Sequence, residues 1–351
     1  MNYNFTLVIC LLSVFYNSSC QESTSFKILT VGFYNLENLF DTLDDPKTFD
    51  DDRTPDGKDH WTEEVYQQKL KNMASAILTI GSDLAKAPPA VLGVAEVENR
   101  KVLYDLIQQE ALVPYKYDII HYDSPDRRGI DVALLYRKEI FRPITSTTYP
   151  VLLYDQKNGK RIYTRDQLLI TGYFENERMH FIVNHWPSRR GGEVSSSYKR
   201  KKAAFVNRNI IDSILYDNPY AKIISMGDFN DGPRNKSIVE VLNTSSRSEH
   251  LTDKMLFNPF NKLLSDGIGS LAWGDSWNLF DQILVSKSFI ASKYETFEFY
   301  KAEVCNKKFL TTSTGNYKGY PFRSFANGNF TGGYSDHYPV CIYLIKKKEK
   351  S

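Results

Sequence analysis

The residues with chemistry to offer are Asp228 and Asn230, set two apart in the stretch IISMGDFND, Ile223 to Asp231. An apolar run of strand length ends at Gly227, and Asp231, Gly232 and Pro233 close a turn behind the two polar groups. A carboxylate and an amide delivered together to the end of a strand can orient a water molecule and steady an oxyanion. In open α/β sheets the carboxyl ends of strands are where ligands bind. The same letters are also ordinary turn chemistry, because Asn and Asp cap their own backbone, so the stretch means little alone.

Its company gives it meaning. FKILTVGFYNLENLF is a strand ending in Asn35, Glu37 and Asn38, although an Asn in such a place is often only a cap. AVLGVAEVEN, Ala90 to Asn99, repeats the pattern and breaks into Glu96 and Glu98. Glu96 directly follows Val94 and Ala95, where a carboxylate is costly to bury unpaired and a metal ion would compensate it. RRGIDVALLYR is a strand entered through Asp131, and MHFIVNHWPSRRGGE ends a strand in Asn184 and His185 before a loop bearing Arg189 and Arg190. LFDQILVS begins at Asp281, and GGYSDHYPVCIYLI sets Asp336 and His337 just before the last strand.

The elements that must position these groups alternate along the chain. After Thr62, Glu63 and Glu64 open a helix whose apolar stripe is Tyr66, Leu70, Met73, Ile77 and Ile80. Leu103, Leu106 and Ile107 mark a second amphipathic segment. A third helix carries Lys199 to Lys202, read as a solvated basic face, with Val206, Ile210, Ile211, Ile214 and Leu215 on its apolar side. A lone His is usually structural, but His185 and His337 stand at strand ends beside carboxylates. Polar groups at six or more strand ends, with strands and helices interleaved, predict one composite site on an α/β framework.

The chain has 351 residues, 42% of them hydrophobic, enough to bury a large core as one α/β domain over residues 21–351. No internal repeat is present. The formal net charge of +2 gives no strong general attraction to polyanions, so any nucleic-acid contact must rest on a local patch. Residues 1–20 hold no charged side chain, and the apolar stretch Phe5 to Phe15 is of signal-peptide size, although MNYN lacks a Lys or Arg. The expectation is an exported protein: periplasmic, secreted, or lipid-anchored to the outer membrane. Ser18, Ser19 and Cys20 suit either ordinary cleavage or acylation of Cys20, for which Asn17 is atypical. Past the leader, Cys305 and Cys341 could pair in an oxidising compartment, while PVCIYLI reads better as a buried strand around Cys341. In the acidic insertion Asp41 to Asp59, the residues Asp52, Thr54, Asp56, Gly57 and Glu63 fall at calcium-loop spacings. Pro55 interrupts that loop and no helix precedes it, so a solvated loop is expected.

YNLEN, GVAEVEN, GIDVALLYR, NHWPSR, GDFND, FDQILVS and SDHYP stand in an order and approximate spacing that resembles the endonuclease/exonuclease/phosphatase superfamily, the fold of DNase I-like and exonuclease III-like enzymes. The resemblance runs from about Lys27 to Ile345. It implies a four-layer α/β sandwich, two packed mainly antiparallel or mixed sheets flanked by helices, and metal-dependent cleavage of phosphate esters. It makes Glu96 the principal metal ligand, with Asn35 beside it and Asp336 completing the acidic cluster. Asp228 would orient or deprotonate the attacking water, and Asn230 would bond a phosphate oxygen. His337, oriented by Asp281, would contact the scissile phosphate, as would His185. Apurinic endonucleases of the exonuclease III type usually carry Asn at the position of His185, so the chain leans away from them. Asp131 receives no role.

The chemistry asks for such residues independently. Phosphodiesters repel hydroxide, and oxygen ligands suit Mg²⁺ or Mn²⁺ better than Zn²⁺. The reaction expected is in-line attack of water on phosphorus without a covalent intermediate. One substrate class is DNA or RNA, with Arg189, Arg190 and Trp186 gripping the phosphate backbone; the bland alternative for the Arg pair is a solvated pair on a Gly-flanked loop. The other is a lipid head group of the sphingomyelin kind or a small phosphate ester, disfavoured by the lack of an amphipathic membrane helix. A binding protein that keeps the fold without catalysis is a third reading, weakened because every catalytic position is filled. The protein is expected to be a monomer with no obligate protein partner.

Overall fold

The strand β1 (Phe26–Leu39) is buried along almost its whole length, as befits a strand with neighbours on both edges and layers on both faces. The computed structural model describes residues 25–348; the leader and Cys20 lie outside them. β1 pairs in parallel with β2 (Val91–Val97) and antiparallel with the last strand, β11 (Val340–Lys347). With β3 (Tyr117–His121), β4 (Asp131–Arg137) and β10 (Glu298–Val304) they form a six-stranded sheet, in the order β10-β11-β1-β2-β4-β3.

The second sheet contains β5 (Phe141–Tyr149), β6 (Gln167–Phe174), β7 (Glu177–His185), β8 (Lys222–Asp228) and β9 (Asp281–Ser286), in the order β9-β8-β7-β6-β5. Two short strands, Thr244–Ser245 and Leu256–Phe257, extend it beyond β9. Each sheet has a parallel pair near its centre, β1/β2 in one and β7/β8 in the other; the other named strands pair antiparallel, and the two short edge strands of the second sheet pair in parallel with each other. Two mixed sheets face each other here, with Phe33, Val94, Phe181, Val183 and Met226 in one core. Gly93 marks a close approach of the two sheets: a Cβ there would meet Met226 Sδ at 3.0 Å and Val183 Cγ1 at 3.2 Å.

Helices cover the outer faces. In α1 (Glu63–Thr79) the Thr62 hydroxyl accepts from Val65 N at 3.3 Å, which caps the first turn, and Tyr66, Leu70, Met73 and Ile77 are buried as their spacing predicts. Burying one such side chain stabilises by about 1.5–3 kcal/mol. Asn99 caps α2 (Arg100–Ile107), whose Leu103, Leu106 and Ile107 are buried as well. α3 (Glu193–Asp217) lays Ala203, Ala204, Ile210 and Ile211 against Ile182, Ile223 and Leu284 in a second core. The layers are therefore helix, sheet, sheet, helix, the expected α/β sandwich.

One expectation needs correcting and two others hold: Cys341 is a buried strand residue and the acidic insertion is a loop. The basic run of α3 is not wholly a solvated face: Lys201 and Lys202 are exposed, but Arg200 is completely buried with its Nε 2.7 Å from Asp231 Oδ1. Helical periodicity places Arg200 on the inward side, and Asp231 compensates its charge. Cys305 and Cys341 lie next to each other with their sulfurs 3.6 Å apart, both buried and both free thiols. The insertion 41–59 is loop with a single short 3-10 turn, Asp51–Arg53, in place of any helix–loop–helix.

Candidate active site

Strand register assembles the site. Asp228 at the end of β8 stands directly beside His185 of β7 and Asp281 of β9. Gly227 permits this closeness, because a Cβ there would lie 2.3 Å from the carbonyl oxygen of Asn184. On the opposing sheet the β1/β2 pairing is regular to Asn35 and Ala95 and then shifts, and the β2/β4 pairing shifts between Ala95 and Val97. Glu96 sits in that irregularity with φ +60°, turned out of the strand alternation. Glu37, Asn38 and Asn230 are also left-handed, with φ +48°, +53° and +49°. Non-glycine residues in this region carry roughly 1–3 kcal/mol of strain each, and strain of this kind gathers at functional sites.

Side-chain contacts join the two sheets. Asn35 Nδ2 donates to Asp228 Oδ2 at 3.2 Å, and its Oδ1 accepts from Glu37 N at 2.9 Å. Glu96 Oε2 accepts from Asn38 N at 3.1 Å, while its Oε1 lies 3.8 Å from His185 Nε2. His185 Nε2 is 3.6 Å from Asp228 Oδ2, and Asp228 Oδ1 accepts from Asn230 N at 2.9 Å. His337 Nδ1 meets Asp281 Oδ2 at 2.7 Å, leaving Nε2 at 4.0 Å from both Asp228 Oδ2 and Asp336 Oδ1. Ser270 Oγ donates to the same Asp281 oxygen. Asn230 Nδ2 donates to the Trp186 carbonyl at 3.0 Å. The structure thus brings Asn35, Glu96, His185, Asp228, Asn230, Asp281, Asp336 and His337 together.

Burial gives these groups distinct charge states. Burial, then the nearby Asp281, pushes the Asp228 carboxyl up to about 7, against the opposing pull of His337. Burial alone would lower His337, but the charge of Asp281 and its hydrogen bond, followed by Asp336 and Asp228, hold it well above the usual imidazole range. His337 is therefore an imidazolium at neutral pH. His185 is driven well below that range, by burial first and then by Arg165, Arg128 and His337, and is neutral. Two histidines in one site are set to opposite states, the pattern by which an acid and a neutral hydrogen-bonding group are separated.

The donor set fits a divalent cation. Among the described residues, Glu96 has no Lys or Arg within ion-pair distance, and the imidazole facing it is neutral. An uncompensated carboxylate offers an oxygen ligand of the kind that hard cations take, and His185 and Asp228 link it to Asn35. The ligand atoms of Asp228, Asp281 and His337 also converge within 4.8 Å of one another.

The site opens into a cavity of about 560 Å³ whose lining is rich in basic residues. Glu96, His185, Asp228, Asn230 and His337 line it together with Arg127, Arg128, Lys160, Arg161, Arg165, Arg190 and Lys199, and with Asp155 and Asp126, the last paired with the buried Arg165. Of the three residues expected to grip substrate, only Arg190 is exposed into this cavity. Trp186 is 1% exposed and packs edge-on against Phe229, its indole N–H donating to Asn184 Oδ1, so it belongs to the core. Arg189 is spent on the turn that carries Asn230: its guanidinium donates to Asn230 O at 2.9 Å, Glu193 Oε2 at 2.7 Å and Asp231 Oδ1 at 3.2 Å. It also lies 4.5 Å above the Phe280 ring. Asp131, left without a role, braces the turn before its own strand through His121 and Ser124.

Sequence reading overlooked the arginines at 127, 128, 161 and 165. Arg127 and Arg128 directly precede the GIDVALLYR strand motif, whereas Arg161 and Arg165 lie in a stretch without any motif. It also overlooked Lys69 of α1, fully buried, which donates to Ser324 Oγ and the Tyr334 carbonyl, each at 2.6 Å. Glu37 accepts from the backbone and hydroxyl of the same Ser324 and pairs with Arg323, which reaches Asp336 at 3.5 Å. This network clamps the end of β1 to the loop that bears Asp336.

Comparisons with known proteins agree with this geometry. Among solved structures, an endonuclease/exonuclease/phosphatase family protein from Bacteroides thetaiotaomicron superposes with a TM-score of 0.53 at 18% identity, covering 92% of this chain and 100% of that one. Danio rerio TDP2 complexed with a single-strand DNA product gives 0.52 at 14% identity, covering 90% and 98%. A mannosyl-6-phosphatase from Bacteroides thetaiotaomicron gives 0.53 at 18%, covering 90% and 99%. At such identities the likeness establishes the fold. Curated protein sequences offer no significant match. The sequence profile of the Endonuclease/Exonuclease/phosphatase family matches residues 30–346, so nearly the whole described chain carries its pattern and the chain belongs to that family of metal-dependent phosphoester hydrolases.

Proposed function

We propose that the protein is an exported nuclease, one catalytic domain behind a leader removed at Cys20 or Gln21, which hydrolyses nucleic-acid phosphodiesters with Mg²⁺ or Mn²⁺. The observation that carries the choice of substrate is the basic lining of the cavity. Seven cationic side chains line the cavity with the carboxylate and histidine cluster; Arg165 and Arg128 pair with Asp126, while Arg127, Lys160, Arg161, Arg190 and Lys199 form no ion pair among the described residues. One scissile phosphate does not need so many, whereas a strand presents neighbouring phosphates to each. TDP2, of the same fold, has been crystallised with a single-strand DNA product.

In this reading Glu96, Asn35 and Asp336 hold the ion, which when bound neutralises phosphate charge and polarises the phosphoryl oxygen. Asp228, steadied by Asn35 Nδ2 and the Asn230 backbone N–H, takes the proton of the attacking water. Its carboxyl near 7 suits a base working around neutral pH. His337, charged and aimed by Asp281, stabilises the developing negative charge and hands a proton to the leaving oxygen. His185 and the Asn230 amide contribute neutral N–H donors to the phosphoryl oxygens, and water attacks in line with the leaving group.

The mannosyl-6-phosphatase of the same fold makes a sugar phosphate the competing substrate. The test is to assay the purified protein, with Mg²⁺ and with EDTA, against single-stranded DNA, duplex DNA, RNA, sphingomyelin, a sugar monophosphate and a chromogenic phosphodiester. Metal-dependent shortening of a nucleic acid supports the proposal. Turnover confined to the sugar monophosphate or the lipid would replace it.

A further inference from the structure

We propose that the loop after β1 binds a calcium ion through Asp44, Asp50 and Asp51, apart from the catalytic centre. One carboxylate oxygen of each residue lies within 4.8 Å of the others. Such convergence of three carboxylates is repulsive without a cation between them. The second observation is Asp50 itself. It is 2% exposed, its Oδ2 accepts from Asp45 N at 3.0 Å, and its Oδ1 is buried with no hydrogen-bond donor. Among the described residues none of the three carboxylates pairs with a Lys, Arg or His; the nearby Arg53 is engaged with Asp59 instead. A buried carboxylate oxygen that has neither donor nor counter-ion is unfavourable unless an ion supplies the missing partner.

The surroundings sharpen the chemistry. Residues 41–59 contain eight aspartates against two lysines and one arginine, in a chain whose net charge is +2. All the donors are oxygens on a loop without regular structure beyond one 3-10 turn, which favours the large, irregular coordination shell of calcium over the strict octahedron of magnesium. These are not the calcium-loop positions suggested by spacing at Asp52, Thr54 and Asp56; the ligands fall earlier, on both sides of Lys47 and Phe49. An ion here would fasten the loop whose start, at Asp41, leans on the end of β2 through Glu98 and Asn99.

Trypsin can read the loop directly, because Lys47 is exposed and Arg53 partly so. The purified protein, stripped of metal, is digested with and without about 1 mM Ca²⁺, a concentration at which calcium modules of modest affinity fill. Cleavage after Lys47 and Arg53 is followed by mass spectrometry in the parent, in Asp44→Asn/Asp51→Asn and in Glu96→Gln. Both replaced aspartates are exposed, so the double variant keeps its fold. The expected result is that Ca²⁺ slows cleavage about tenfold or more in the parent and in Glu96→Gln, with no effect in the double variant. Asp51→Asn alone moves the protecting Ca²⁺ concentration upward. No protection in the parent, equal protection in the double variant, or protection lost in Glu96→Gln would each overturn the proposal, the last by placing the ion in the active site.

Discussion

At the scale of single residues, the site separates charge from burial in a way that fixes what each substitution should do. Glu96 accepts one backbone N–H and otherwise faces only a neutral imidazole. Glu96→Gln keeps shape and removes charge, so metal-dependent activity should fall roughly 100-fold or more while the thermal midpoint holds. A fully active Glu96→Gln enzyme would remove this residue from the metal site. Asp281 has a different task, since it orients and charges His337 without lining the cavity itself. Asp281→Asn should therefore lower kcat by about 10²- to 10⁴-fold and leave KM nearly unchanged. A matching rise in KM would mean that the pair holds substrate rather than serving the reaction. The residues proposed for these tasks were legible from sequence because each stands at or beside one end of a strand in a short polar motif. Arg161 and Arg165 were not, because nothing local distinguishes an arginine on a cavity wall from one in solvent.

At the scale of elements, adjacent arginines do unlike work. Arg189 and Arg190 are neighbours in the sequence, yet one closes the turn after β8 and the other faces the cavity. Strand ends could be read from apolar runs, whereas the fate of a loop arginine depends on Asn230, Glu193 and Asp231, which arrive from elsewhere. Arg200 carries the same lesson: in sequence it sits in a basic run, in space it meets Asp231 with its side chain wholly buried. Arg200→Ala should cost about 3–5 kcal/mol by leaving Asp231 buried and short of charge, whereas Arg190→Ala should change stability by less than about 0.5 kcal/mol. Urea denaturation of both variants measures the contrast, and equal losses would contradict it. Between β6 and β7, His180 shares a hydrogen bond with Thr171 at 2.8 Å. Burial, then Arg178, pushes its imidazole down to about 4. The unfolded chain protonates this side chain from about pH 6.5 downward while the folded chain resists until about 4, so stability falls across that window as acid is added. In His180→Gln, the fall in urea midpoint between pH 7 and pH 4.5 should be smaller than in the parent. A parallel fall would show that His180 is not a source of the acid sensitivity.

At the scale of the whole molecule, the sandwich exists to bring two sheet ends face to face. Asn35 and Glu96 come from one sheet, and His185, Asp228 and Asp281 from the other. The layers were legible because buried strands and amphipathic helices alternate; the pairing order was not, since register between distant strands depends on contacts no local pattern records. No helix among the described residues is long and apolar enough to cross a membrane. Export is a separate proposal about the leader, which mass spectrometry of the native N-terminus decides: a start at Cys20 or Gln21 supports it, and intact Met1 on a soluble cytosolic protein contradicts it.

The central claim is that a metal-dependent phosphodiesterase site and a basic cavity lining together work on a polyanionic strand. The most direct measurement compares the parent with Arg128→Ala/Arg190→Ala, neither residue belonging to the carboxylate and histidine cluster. Cleavage of a single-stranded oligonucleotide is followed across a salt series with Mg²⁺ present, alongside turnover of a small chromogenic phosphodiester by the same preparations. The double variant should cleave the oligonucleotide more weakly and with a shallower salt dependence, by about 0.7 in log–log slope for each phosphate no longer neutralised, while hydrolysing the small diester almost as well as the parent. Equal losses on both substrates, with the salt slope unchanged, would contradict the strand-binding role of the lining and the nuclease assignment with it.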